Sequence, residues 1–275
     1  MDGAPLLVKT GSALAAAARW PRQGARGLLD LLYPPICLNC EAPVAVADGL
    51  CASCFRQLRP ITAPMCPRLG IPFQISLGPD ALSAEAIADP PPFDRARSAV
   101  IYNDVARALV SRLKYGDRPE LALFCAKLMT TAGAEFWTAR PVLLPVPLHP
   151  LRQIGRRYNQ SLELARAIAR RTDLPVDAGL VRRTRATPRQ VGLSAAARAR
   201  NVAGAFAVHP DALARTRGRP VVIVDDVVTT GSTVKALTRA LNRAGIERVD
   251  VISFARVVPG AEAADGLAAA FAGTI

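Results

Sequence analysis

Val221-Val222-Ile223-Val224-Asp225-Asp226-Val227-Val228-Thr229-Thr230-Gly231-Ser232-Thr233 is the stretch that decides the fold of this chain. A run of β-branched apolar residues is stopped by two carboxylates. A loop of hydroxyls and one glycine follows, and Val234 to Ala244 has the spacing of a helix. Such an apolar run suits a strand buried on both faces, as in a parallel sheet. The helix ends at Gly245, and Val249 to Phe254 is a further strand, which completes a βαβ unit. Ligands of open parallel sheets bind beyond the carboxyl ends of the strands, so Asp225, Asp226 and the loop are expected there.

Each part of the loop has a physical use. Backbone N–H groups at a helix start lack intrahelical partners and are positively polarised, which favours a phosphate. Gly231 lets the backbone approach an anion closely because no Cβ intervenes. Thr229, Thr230, Ser232 and Thr233 add hydroxyl donors without charge. Asp225 and Asp226 would repel a phosphate beside them and suit a ribose diol, or a metal ion bridging sugar and phosphate. The pattern asks for a sugar phosphate. A nucleotide P-loop would need Gly-x-x-x-x-Gly-Lys-Ser/Thr, and the first glycine and the lysine are both missing. The Gly-x-Gly-x-x-Gly of dinucleotide sites is missing too. In phosphoacceptor receiver domains an aspartate pair opens the domain, whereas here it lies near the end. The bland alternative is a helix start merely capped by Ser or Thr.

The cysteines carry the second signal. Cys37-Leu-Asn-Cys40 and Cys51-Ala-Ser-Cys54 are two Cys-x-x-Cys knuckles, and four converging thiolates make a closed tetrahedral zinc site of structural type. A disulfide pair or free core thiols are the alternative. With no secretory signal in view, the expected compartment is reducing, cytoplasmic, and unfavourable to disulfides. Cys66 and Cys125 are left over, as a loop thiol and a buried helix thiol.

The 275 residues suffice for one medium domain plus a small module. No apolar run approaches the roughly 20 residues that cross a bilayer. Ser12 to Ala18 is short, alanine-rich and preceded by Asp2, a poor signal peptide. The expected organisation is an N-terminal helical segment (1–32), a four-cysteine zinc module (33–68), a proline-rich linker or loosely packed arm (69–92), an α/β domain (93–260) and a tail (261–275). In the α/β domain, strands are expected at Ala99 to Tyr102 and Val142 to Val146. Helices are expected at about Val105 to Lys114, through Ala122 to Trp137, and at Ser161 to Arg171. Alternating strands and helices imply a doubly wound, mainly parallel sheet.

The formal charge of +13 is uneven. Arg152 to Arg200 holds twelve arginines against three acids, a local +9. Arg166 and Arg170 fit the wet face of a helix. Arg182, Arg183, Arg185 and Arg189 show no helical period and read as a mobile arginine-rich loop, where guanidinium groups would serve pyrophosphate, a nucleic-acid backbone, or both. With aromatics only 5% of the chain, a base-stacking platform is thin. Phe206 reads as core, and His149 as a structural loop histidine.

Asp225 to Thr233 resembles the phosphoribosyl-pyrophosphate (PRPP) motif of type I phosphoribosyltransferases, two acids followed by a Thr-Gly-x-Thr phosphate loop. More of the chain resembles one family, the ComF family of competence proteins that includes GntX. The likeness is carried in order by Tyr33-Pro34-Pro35-x-Cys37-x-x-Cys40, Leu113-Lys114-Tyr115-Gly116-Asp117, Pro145-Val146-Pro147-Leu148 with Arg152, and Arg156-Arg157-Tyr158-Asn159-Gln160. Arg183-x-Arg185-x-Thr187-x-x-Gln190, Arg198-x-x-Asn201 and Ala205-Phe206 precede the PRPP motif. Two departures stand out. The family often writes Arg-Gly-Phe-Asn-Gln where Arg157 and Tyr158 occur, and many relatives have a further Cys-x-x-Cys near Cys66, where this chain has Leu69.

The resemblance implies a type I phosphoribosyltransferase-like domain, with a zinc-ribbon-like module on Cys37, Cys40, Cys51 and Cys54. It implies a role in DNA uptake during natural transformation, and PRPP bound with magnesium. Asp225 and Asp226 would orient the ribose hydroxyls and help hold magnesium. Val228, Thr229, Thr230, Gly231, Ser232 and Thr233 would anchor the 5′-phosphate. Lys114, Arg152 and Arg156 are candidates for the pyrophosphate side. Arg182, Arg183, Arg185 and Arg189 are candidates for single-stranded DNA, with a competence helicase or another DNA-processing factor as partner. Two alternatives stay open, a small-molecule phosphoribosyltransferase of nucleobase salvage and a PRPP-sensing protein without turnover. The acceptor is not readable from the sequence.

Overall fold

The computed structural model describes residues 34–115, 119–148, 159–185, 200–202 and 204–260. The chain divides into two compact units, 1–51 and 52–275. The segment expected to be helical at the N-terminus, the C-terminal tail, His149, Arg152, Arg156 and Arg189 lie outside the described residues.

In the first unit the chain makes one tight turn at the first knuckle. The Glu41 N–H donates to Cys37 O at 3.1 Å and the Cys37 N–H to Ala42 O at 2.8 Å, while Ile36 bridges Pro43 antiparallel.

The second unit is built on a four-stranded sheet in the order β1 (Arg95–Ile101), β6 (Val249–Arg256), β5 (Val221–Val228), β2 (Val142–Pro145), with every pair parallel. Side chains alternate across a strand. Val221, Ile223, Val249 and Val251 therefore join Leu144 and the apolar stripe Val234, Leu237 and Leu241 of α8 (Ser232–Arg243) in one cluster. The alternate residues Val222, Val224, Ile252 and Phe254 are just as buried, on the opposite face. There α4 (Pro119–Ala132) and α6 (Gln160–Thr172) pack on each other and reach the strands. Apolar cover on both faces is the condition for a parallel sheet, and the doubly wound expectation holds.

Some expectations need correction. β5 does not stop at the carboxylates. It continues to Val228, pairing Asp225 with Ser253 and Val228 with Arg256, because the ladder uses backbone groups and is indifferent to side-chain charge. The helix expected through Ala122 to Trp137 is two: α4 gives way at Gly133 to the short α5 (Ala134–Trp137). A Cβ at Gly133 would come within 2.7 Å of the Trp137 ring. Arg182 and Arg183 are not in a mobile loop. They lie in β3 (Val181–Arg183), paired antiparallel with β4 (Phe206–Val208).

The proline-rich stretch is neither a linker nor loosely packed. Cys66, Leu69, Ile71 and Ala86, the last on α2 (Ala84–Ala88), belong to the same apolar cluster as β5 and β6. Residues 59–68, which lead into this stretch, close the outer edge of β1: Ile61 N–H bonds Ala99 O at 3.0 Å, Ile101 N–H bonds Arg59 O at 2.8 Å, and Ala96 N–H bonds Arg68 O at 2.8 Å. The β2 edge is covered in the same manner by residues 175–177.

Candidate functional site

The carboxyl end of β5 gathers groups from several elements. Asp225 and Asp226 each accept the backbone N–H of the following residue, at 2.9 and 2.8 Å. Lys114, from the last turn of α3 (Asp104–Tyr115), reaches Asp226 with Nζ–Oδ2 at 2.9 Å. Ser161, in the first turn of α6, donates its hydroxyl to Asp225 Oδ1 at 3.2 Å. That turn is fixed by Asn159, whose side chain accepts the Ser161 N–H and donates to Val146 O at 3.1 Å, tying the helix start to the end of β2. Burial, and next the charge of Asp226, push the Asp225 carboxyl well above the usual carboxylate range; the Asp226 N–H, Lys114 and Ser161 offset this only in part. A carboxyl that keeps its proton beside the Asp226–Lys114 pair can exchange hydrogen bonds with sugar hydroxyls, and a cation bound there would favour its ionised form.

The loop after β5 is held by its own hydroxyls, with Thr230 Oγ1 2.8 Å from Ser232 Oγ. Gly231 caps α8 at φ 73°, in the left-handed region where a Cβ is disfavoured. The nearest atoms to such a Cβ are 3.8 Å away, so the glycine is required by the backbone and not by crowding. The first turn of α8 carries no acid, which preserves its attraction for an anion.

A cavity of about 440 Å³ opens beside this loop, lined by Val228, Thr229, Thr230 and Gly231, by Leu69 and Ile71 of the proline-rich segment, and by Arg256. Arg256 is 7% exposed, and its Nε has no hydrogen-bond partner among the described residues. Burial lowers its guanidinium to about 10, against the opposing influence of Glu85. Lys235 of α8 lines the same cavity and pairs with Asp89 at 2.6 Å. On the β2 side a second cavity of about 230 Å³ is lined by Pro145, Pro147, Leu148, Asn159, Arg182 and Arg183.

The structure thus brings together Asp225, Asp226, Lys114 and the loop from Val228 to Thr233. The arginines divide. Arg182 is exposed and Arg183 buried, the latter 5.6 Å above the Phe206 ring. Arg185 holds the carbonyls of Arg200 and Asn201 at 3.4 and 3.0 Å. Sequence reasoning missed Ser161, Lys235 and Arg256. A signal existed for the last, since an arginine that closes an apolar, doubly buried strand has no structural need to be charged.

The knuckle cysteines converge as expected. Sulfurs of Cys37, Cys40, Cys51 and Cys54 all lie within 4.8 Å of one another, with Cys40 and Cys51 at 3.6 Å. Four sulfurs about 2.3 Å from a central zinc stand roughly 3.8 Å apart, so the set fits the ion. Cys37 Sγ also accepts N–H bonds from Asn39 and Cys51, at 3.4 and 3.2 Å. Burial alone would raise this thiol, but those bonds and one from the Cys40 N–H bring it down to about 6, toward the thiolate a metal requires. Cys125 is the opposite case. Burial, then the charge of Asp226, push it up, and it is an inert core thiol.

Comparison with known proteins agrees with both parts. The family described as a double zinc ribbon domain matches residues 28–87, and the phosphoribosyl transferase domain family matches residues 159–267. The chain is 33% identical over 234 residues, 83% of its own length and 100% of the relative's, to the DNA utilization protein YhgH of Escherichia coli K12. It is 28% identical over 228 residues to competence protein F of Haemophilus influenzae, covering 80% of this chain and 96% of the relative. A short stretch of 37 residues is 54% identical to a hypoxanthine/guanine phosphoribosyltransferase of Methanosarcina mazei, 14% of this chain and 20% of that enzyme. No helix among the described residues is long and apolar enough to cross a membrane.

Proposed function

The chain belongs to the ComF family, with a zinc ribbon and a phosphoribosyltransferase domain, and on that premise we propose that it binds PRPP with magnesium and works in DNA uptake, on or beside single-stranded DNA. The observation that carries the PRPP reading is the carboxylate pair near the carboxyl end of β5, followed after Val227 to Thr230 by a left-handed glycine and an acid-free helix start. The names of two relatives, a DNA utilization protein and a competence protein, support the DNA-uptake context.

In this reading Asp225 and Asp226 accept hydrogen bonds from the ribose hydroxyls, and Ser161 steadies Asp225 through the contact already made. The hydroxyls of Thr230 and Ser232 and the N–H groups opening α8 hold the 5′-phosphate. Lys114 turns from Asp226 to the pyrophosphate, joined by Arg152 and Arg156. Bound magnesium would neutralise charge shared by pyrophosphate and carboxylates. Transfer breaks the bond from C1′ to pyrophosphate and forms one to an acceptor nitrogen, which gives up a proton. The chain contributes position and charge neutralisation.

A second reading, transfer to a small nucleobase, is favoured by the cavity beside the loop. Its Arg256 Nε, without a partner among the described residues, suits an acceptor carbonyl or anionic edge, and the cavity is of the size that takes a single small molecule. Pyrophosphate release from PRPP distinguishes the readings. Release that depends on single-stranded DNA supports the first, release with a free base alone supports the second, and magnesium-dependent PRPP binding without release under either condition identifies a sensor.

A further inference from the structure

The first knuckle has a second copy in this chain, offset by 29 residues and recorded in the backbone. Three hydrogen bonds repeat: Cys37 N–H to Ala42 O and Cys66 N–H to Ile71 O, both 2.8 Å; Glu41 N–H to Cys37 O at 3.1 Å and Gly70 N–H to Cys66 O at 2.8 Å; Val44 N–H to Pro35 O and Phe73 N–H to Pro64 O, both 2.9 Å. The antiparallel bridge Ile36–Pro43 repeats as Met65–Pro72. Even the left-handed residue repeats, with φ 63° at both Glu41 and Gly70.

The correspondence extends to the sulfur. Cys37 accepts N–H bonds from Asn39, Cys40 and Cys51, and Cys66 accepts them from Arg68, Leu69 and Ser83. Cys51 immediately precedes α1 (Ala52–Gln57), and Ser83 immediately precedes α2. The four positions of the zinc site, Cys37, Cys40, Cys51 and Cys54, are thus matched by Cys66, Leu69, Ser83 and Ala86. One thiol, one hydroxyl and two alkyl groups do not make a zinc site. The four residues are instead 0, 4, 6 and 3% exposed, and Leu69 and Ala86 continue into the apolar cluster of β5 and β6. Ser83 has become the N-cap of α2, its hydroxyl accepting the Ala86 N–H at 3.4 Å. Gly70 lies against β1 so closely that a Cβ there would be 2.4 Å from Ala96 O.

We propose that residues 64–88 are a second ribbon without metal, in which burial of Cys66, Leu69 and Ala86 against the sheet, with Ser83 bonded to Cys66 and Ala86, replaces the zinc that holds the first ribbon. The double ribbon is a single-zinc ribbon, and its metal-free half is the one that walls the cavity beside the phosphate loop through Leu69 and Ile71. The shape of that wall is independent of zinc.

Two measurements on the full chain test this. The variant Leu69→Cys/Ser83→Cys/Ala86→Cys restores three thiols beside Cys66. Its zinc content should rise from about one to about two per chain, and thiolate-to-cobalt absorption of the cobalt-substituted protein should about double. A variant with wild-type circular dichroism that still holds one zinc overturns the proposal, as does a wild-type chain that already holds two. Hydrogen exchange on wild-type protein stripped with a strong chelator decides the matter even if the variant does not fold. The amides of Cys37, Glu41 and Val44 should lose protection, while those of Cys66, Gly70 and Phe73 keep it. Loss at both turns would show that the second ribbon depends on metal and would overturn the proposal.

Discussion

The four-cysteine turn and the end of β5 are both clusters of charge-bearing groups, and they are held together by opposite means. Around Cys37 the chain is short and partly exposed, with Cys40 in solvent, so the thiolates are organised by the metal they bind. Around Asp225 the strand is fixed by Val221 to Val224 and by the ladder to β6, so the carboxylates are organised before any ligand arrives. A site that depends on its ligand for shape fails as a unit when the ligand goes. A site built on a sheet keeps its shape and carries its electrostatic cost while empty.

The largest effect should come from Cys51→Ser. A structural zinc in small domains is worth roughly 10–16 kcal/mol of binding, so zinc should be lost and the turn from Cys37 to Val44 should unfold. PRPP affinity by calorimetry should be unchanged, and a parallel loss of PRPP binding would break the comparison. Next is Asp225→Ala/Asp226→Ala. Hydrogen bonds to charged groups contribute about 1.5–3 kcal/mol each, so magnesium-dependent PRPP affinity should fall at least about a hundredfold while zinc content and circular dichroism stay as in the wild type. Equal affinity in the two proteins would reject the site.

A smaller effect is expected for DNA. Replacing Arg182, Arg185 and Arg189 by Ala should lessen the salt slope of single-strand binding by about two, at roughly 0.7 per phosphate contact. Fluorescence anisotropy over a salt series reads it. Arg183 is left in place because it is buried on Phe206. An unchanged slope moves DNA binding away from β3, and a lost PRPP affinity assigns these arginines to pyrophosphate instead.

The smallest effect concerns the cost of Asp225 itself. Its carboxyl is raised from 3.8 to about 8 in the folded chain. The folded state therefore holds the proton more tightly than the unfolded state, and the stabilisation present below the unfolded value is lost as pH rises through that window. Asp225→Asn should flatten the dependence and raise stability above that of the wild type at the alkaline end. Thermal melts between roughly pH 5 and 9 check the sign. A variant less stable than wild type at the alkaline end would show that Lys114 and Ser161 neutralise the group completely.

The parts legible in the sequence are those where one residue type has one physical use. Val221 to Val224 could only be a buried strand, Gly231 does sit at a left-handed position before a helix, and the four knuckle cysteines do converge. Parts that were not legible depend on partners far along the chain. Leu69 and Ala86 lie among prolines and show no period, yet they are core because β5 and β6 lie beneath them. Arg183 looks like a solvent residue until Phe206 is placed under it. Ser161 is one hydroxyl among many, 64 positions from Asp225, and it is put there by the packing of α6 on β5 and the tie between Asn159 and Val146.

The bonds that Arg59, Ile61 and Arg68 make along the outer side of β1 have a practical consequence. A sheet edge with unpaired N–H and C=O groups is a template for other chains. This sheet has both its margins occupied, one by the segment that leads out of the cysteine module and one by residues 175–177. The seam at residue 93 suggested by composition is therefore no place to cut. A fragment starting there would carry the whole phosphate loop and still be a poor reagent, self-associating along β1. The same bonds give this segment a structural duty that does not depend on metal: it must stay to cover β1 whether or not it holds an ion.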